Sequence, residues 1–240
     1  MRPWGGLDQC ALLDLADAGR SLGPAGREIA LIDAFCPDLD GAAADLDVGT
    51  AQARLLDLCE AEVGPELVAG LRCRSCDDGL EVRFAVDAVR QPASPGADAL
   101  LTVRHGDAVA RVRMPRGTDL LAIEALTDAD AARRVLLDRC IVELDGVDRV
   151  QADLLDAIAA AMAAAMPQAD VELAGACERC GEPWTAGLDA GLFLWSDVER
   201  RAERLAEEVH LLAVTYHWSE AEILALTPVR RRRYLDRVAS

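Results

Sequence analysis

The 240-residue sequence predicts an α+β fold: a small body of β-hairpins and zinc knuckles, helices around it, and a long C-terminal helix followed by two short helices. Three observations predict it. Two C-x-x-C turns, Cys73–Cys76 and Cys177–Cys180, each follow a short alternating stretch of strand type. Between residues 192 and 216 apolar side chains recur every three or four positions, the period of a helix with one buried face. The composition, 52% apolar and 28% charged, suits one or two packed cores in a chain of this length.

Residues 1–26 carry six glycines and prolines before position 25 and no sustained period, so they are expected to form a loose arm. Residues 27–187 are expected to form the mixed body and residues 188–240 a helical segment. Glu28 to Phe35 reads as a short helix, Pro37 to Asp47 as a connection, and Thr50 to Ala61 as a second helix with Leu55, Leu56 and Cys59 on one face. Val68 to Arg72 and Glu81 to Val86 read as strands around the first cysteine turn. Leu100 to Arg104 and Ala108 to Met114 flank His105-Gly106-Asp107 as a hairpin. One helix starts at Thr118 or Asp119, Asp128 caps another that runs to Cys140, and Val150 to Met166 is a third, ended by Pro167. Val171 to Ala174 reads as a strand entering the second cysteine turn. In the long helix Leu192, Trp195, Val198, Ala202, Leu205, Val209, Leu212 and Tyr216 form one stripe. Ser219 with Glu222 is a capping box, and Thr227 before Pro228 caps the last helix.

Composition excludes several chemistries. The sequence holds no lysine, so all 25 cations are arginines; a lysine Schiff base, a lysine general base and a phosphate loop that needs its lysine are ruled out. The net charge of −17 falls wholly on residues 1–195, since residues 196–240 balance. It opposes binding to nucleic acid, and Arg230 to Arg233 beside Tyr234 reads as a solvated face or a local counter-ion. No stretch reads as a signal peptide. The longest apolar run, Ala157 to Met166, is about half of a membrane span, so the expected setting is a reducing cytoplasm, with no membrane partner.

In that setting eight cysteines read as thiols or metal ligands. Neither C-x-x-C pair saturates a zinc ion alone, whereas Cys73, Cys76, Cys177 and Cys180 together supply four thiolates for one structural zinc per chain. Closing the loop of roughly 100 residues costs about 4 kcal/mol, against about 10–16 kcal/mol from zinc binding. The competing readings are a dithiol redox pair, unligated thiols, and separate sites that recruit Cys36, Cys59 or Cys140. The first turn has Asp77-Asp78 where the second has Gly181, which is expected to lengthen it and add charge. His105, His210 and His217 carry no recognisable catalytic or ligand pattern, and no nucleophile-elbow or His-Glu-x-x-His signature occurs.

The tail resembles a known family. Phe193, Trp195, Val209, His210, Leu212, Ala213, the run from Tyr216 to Pro228, Arg230, Arg231, Tyr234 and Leu235 are similar to the baseplate hub assembly chaperones of T-even bacteriophages, in the branch encoded with contractile phage tails and extracellular contractile injection systems. Cys177-x-x-Cys180-Gly181-x-x-Trp184, the hairpin ending Arg111-Val-Arg113-Met-Pro115 and Cys73-x-x-Cys76 fall in the same order, so the resemblance covers roughly residues 28–238. It implies a non-enzymatic assembly chaperone or adaptor that binds a baseplate or hub protein, with Trp195, Tyr216, Trp218, Arg230, Arg231 and Tyr234 toward the partner. The alternative expectation is a zinc-ribbon regulator that contacts nucleic acid or polymerase.

Overall fold

The structure, a computed structural model, describes residues 7–147 and 150–238. Its first core is built by helices from both ends of the chain. Asp8 caps α1 (Gln9–Gly19) by accepting from the Ala11 N–H at 2.8 Å, and Pro24 opens α2 (Pro24–Phe35). The buried Asp47 caps α3 (Val48–Glu62), accepting from the Thr50 N–H at 3.0 Å and its hydroxyl at 2.6 Å. These three helices pack on α7 (Ala190–Tyr216), a 27-residue helix, and bury Leu31, Ile32, Phe35, Leu55, Leu56, Leu194, Trp195 and Val198.

The helix α1 corrects the expected loose arm, whose first six residues lie outside the described ones. Its apolar residues Leu12, Leu13, Leu15 and Ala16 cover less than two turns between glycines, too few to establish a period. They are ordered by α7, against which Leu15, Ala16 and Gly19 are buried. Gly19 is needed there, because a Cβ on it would lie 1.9 Å from the Trp195 ring.

A second core lies in the chain between the two cysteine turns. Strands β3 (Leu100–His105), β4 (Ala108–Arg113) and β5 (Ile141–Asp145) form an antiparallel sheet in the order β3-β4-β5. Against it pack α5 (Ala129–Cys140) and α6 (Ala152–Ala165), burying Val103, Ala110, Val112, Met114, Leu137, Leu154, Ile158 and Met162. Strand β5 was not expected: it follows α5 with no intervening turn residue, and Ile141 itself is the C-cap.

The two cores are joined through the start of α4 (Gly117–Ile123). The Val48 N–H donates to Pro115 C=O at 2.9 Å, the Gly117 N–H to Leu46 C=O at 3.3 Å, and Asp47 bridges to Arg116. At the same place the fully buried Asp119 carboxylate accepts from Arg113 Nη1 (2.6 Å) and Nη2 (2.9 Å), Arg139 Nε (2.8 Å) and the Arg116 N–H (2.9 Å). One side chain thus fastens the end of β4, the start of α4 and the last turn of α5.

Two further hairpins, β1 (Glu66–Arg72) with β2 (Gly79–Ala85) and β6 (Glu172–Ala176) with β7 (Pro183–Gly187), stand on the first core. Leu67, Phe84 and Leu173 face inward, and Phe84 meets the Phe193 ring edge-on at 6.2 Å. At the far end of α7, His217 takes a left-handed conformation (φ 58°) and ends the helix, and α8 (Glu220–Leu224) and α9 (Pro228–Val238) fold back on it. Ser219 and Glu222 form the expected reciprocal cap. No described helix is long and apolar enough to cross a membrane.

Candidate metal centre

Each C-x-x-C turn closes its hairpin with the same two backbone bonds. In the first, the Cys73 N–H donates to Asp78 C=O and the Asp77 N–H to Cys73 C=O, both at 2.9 Å. In the second, the Cys177 N–H donates to Glu182 C=O and the Gly181 N–H to Cys177 C=O, both at 2.8 Å. Asp77 (φ 56°) and Gly181 (φ 76°) hold the equivalent left-handed position. The first turn is therefore not lengthened by Asp77-Asp78: aspartate is among the few residues that tolerate this conformation, and it stands in for the glycine. The added charge is used across the site, where Arg179 Nη1 of the second turn lies 3.3 Å from Asp78 Oδ1 of the first.

The hairpins face each other and bring the four sulfurs together. Cys73 Sγ lies 3.6 Å from Cys180 Sγ and Cys76 Sγ lies 3.7 Å from Cys177 Sγ, and all four are within 4.8 Å of one another. A tetrahedral ion with metal–sulfur bonds of about 2.3 Å needs sulfur–sulfur edges of about 3.8 Å, so the cluster has the size of a four-thiolate metal site. Cys73 and Cys177 are buried, Cys76 is half-buried and Cys180 is exposed, so the centre sits at the surface with one corner toward solvent.

The electrostatics favour a cation. Backbone N–H groups of Cys76 and Ser75 point at Cys73 and hold its thiol down at about 7. A backbone N–H from Asp78 assists Cys76, yet burial, followed by the sulfurs of Cys180, Cys73 and Cys177, pushes it up to about 12. Four thiolates in so small a volume repel one another; a divalent cation converts that repulsion to attraction and lets all four ionise. The donor set contains no histidine or carboxylate, and four sulfurs complete a tetrahedron. A metal held by all four would have no open position for substrate or water and would act as a cross-link between the two hairpins.

The remaining cysteines stand apart from it. Cys36, Cys59 and Cys140 are buried in the cores, and burial raises Cys59 to about 12 and Cys140 to about 11. His105, His210 and His217 are exposed, none within the cluster.

The residues expected to face a partner are divided by the structure. Trp195 is in the first core, its indole N–H donating to Glu199 Oε1 at 2.8 Å and the Arg27 guanidinium 5.2 Å above its ring. Arg231 is also buried, donating to Glu208 Oε2 at 2.6 Å and to Gln9 Oε1. Both expectations are corrected: a large aromatic in the helix stripe fills the interior, and an arginine in a basic run turned inward to an acidic partner on α7. Tyr216, Trp218 and Tyr234 form a half-buried triangle, ring centroids 4.9–5.7 Å apart, and Arg230 is exposed. Conversely Leu192, expected in the stripe, is 59% exposed beside Val68 at 47%. It lies beside the buried face and not on it: Ala190, Gly191, Leu194 and Trp195 around it are buried, with Cys59 of α3 3.6 Å from the Ala190 C=O, and the period alone does not fix which edge of a stripe the packing leaves open.

Compared with family models, with curated proteins and with solved structures, the chain matches none of them.

Proposed function

We propose that the chain is a non-enzymatic assembly chaperone or adaptor for the baseplate hub of a contractile phage-tail-like particle or injection system, held in shape by one structural zinc. The observation that supports the non-enzymatic part is the four-cysteine donor set, which would leave a bound metal no open position for substrate or water. Zinc is the ion that suits tetrahedral thiolates presented by two C-x-x-C turns in a reducing cytoplasm. The particle is suggested by the residue pattern from Phe193 to Leu235, most of which the fold assigns to the aromatic triangle and the helices around it.

The facing cysteine hairpins also favour a second reading, a zinc-ribbon regulator of nucleic acid or polymerase. The tail gives it little support: of its four consecutive arginines Arg231 is buried against Glu208 and Arg232 pairs with Asp236 at 3.3 Å.

The two separate in one experiment. In a cell that makes such particles, replacing Trp218 and Tyr234 by alanine, which spares the α7 residues of the first core, is expected to abolish assembled particles while this chain and the sheath and tube proteins are still synthesised. An unchanged particle count would overturn the assembly reading. Salt-sensitive DNA or RNA binding lost on Arg230→Ala and Arg233→Ala would replace it with the regulator.

A further inference from the structure

The strand β1 has an edge that nothing in its own sheet covers: β1 and β2 form a two-stranded sheet. The Cys73 N–H donates to Asp78 C=O and the Val86 N–H to Pro65 C=O, which fixes the alternation along the ladder. Leu67, Ala69 and Leu71 are thus bonded to β2, and the N–H and C=O groups of Val68 and Gly70 point away from it. Exposed edges are normally guarded by proline, a bulge or charge. Here Val68 to Leu71 has an unbroken register, no proline and no charge, whereas β7 begins with Pro183. Beside this edge runs a groove of about 490 Å³ whose far wall is the start of α7, with Leu192 and Phe193 toward it. A Cβ on Gly70 would meet nothing within 4 Å, so the sheet face beside the edge is open there among the described residues. The rim carries Glu66 and Asp189, while the buried Asp197 is paired with Arg200 and Arg201.

We infer that β1 takes an added strand: an extended segment of a partner protein, apolar at alternate positions and basic at its end beside Glu66 and Asp189. Main-chain hydrogen bonds to Val68 and Gly70 supply register, and the groove takes every second side chain. A second copy of this chain fits less well, since it would bring two acidic rims together on chains of net charge −17. The inference rests on the adaptor reading for the existence of a partner, but not on which particle it belongs to.

The test uses the zinc-loaded full chain and a pool of fluorescent nonapeptides with arginine at both ends and Val, Ile, Leu or Phe at alternate positions. Saturable binding is expected, with slowed amide exchange at Val68 and Gly70. Gly70→Pro removes an outward N–H while sparing the β1–β2 ladder, and should weaken binding at least tenfold with metal content unchanged. No binding at millimolar peptide, equal binding by the variant, or a chain dimer that Gly70→Pro dissociates would each overturn the inference. Particles lost on Trp218→Ala with Tyr234→Ala but normal with Gly70→Pro would sink the groove and leave the adaptor reading standing.

Discussion

Replacing Asp119 by alanine tests whether the segment between the cysteine turns is anchored as described. The carboxylate is fully buried and accepts four hydrogen bonds, three of them from Arg113 and Arg139. Burial alone would raise its pKa, but the Arg113 guanidinium, the Arg116 N–H and Arg139 outweigh it and hold the carboxyl at about 2, below its ordinary 3.8. By linkage that depression stabilises the fold by about 2 kcal/mol. Removing the acceptor also strands two guanidinium groups; breaking a buried pair costs about 3–5 kcal/mol, reduced here because the Arg113 and Arg139 side chains are 23% and 42% exposed. Asp119→Ala should therefore lose about 2–4 kcal/mol at pH 7, read from urea unfolding. A depressed carboxylate contributes fully above the unfolded value near 4, and its contribution disappears as pH falls through about 2. The gap between wild type and variant should accordingly narrow by about 2 kcal/mol between pH 5 and pH 2. Any metal held by the four cysteines would be lost on thiolate protonation in both chains, and its loss cancels in the difference. A deficit under about 0.5 kcal/mol at pH 7, or one independent of pH, would refute the reasoning.

Three further outcomes are expected. Two-stranded hairpins are marginal alone, so a strong chelator should speed amide exchange in β1, β2, β6 and β7 at least about 100-fold and leave α6 unchanged. Asp77→Val places a β-branched residue at φ 56° and should cost about 1–2 kcal/mol, seen as faster metal loss to a chelator, whereas Asp77→Gly should stay within about 0.5 kcal/mol. Arg231→Ala should cost about 1–3 kcal/mol and loosen α9 in hydrogen exchange, while Arg233→Ala on the exposed side of the same run should be nearly neutral.

Local chemistry made much of the fold readable. Asp128, Ser219 and Thr227 mark helix starts through side-chain caps that depend on a few neighbouring residues, and the structure places the caps there. The cysteine turns were readable for the same reason, since C-x-x-C encodes its own geometry. What stayed hidden depends on contacts distant in sequence. The helix α1 is set by Trp195 closing over Gly19, β5 by pairing with β4, and the burial of Arg231 by Glu208 and Gln9 at the other end of the chain. The left-handed Asp77 is not legible from the sequence, because a missing glycine signals a different turn only if no other residue can adopt its backbone. The free edge of β1 could not be seen at all, since alternation marks a strand but not its neighbours.

The central claim is that both cysteine turns close on a single metal. Elemental analysis of the purified chain, beside variants lacking either Cys73 and Cys76 or Cys177 and Cys180, tests it most directly. One zinc per chain, lost completely from each pair variant, is the predicted result; two ions, none, or a full ion retained by either variant would contradict it.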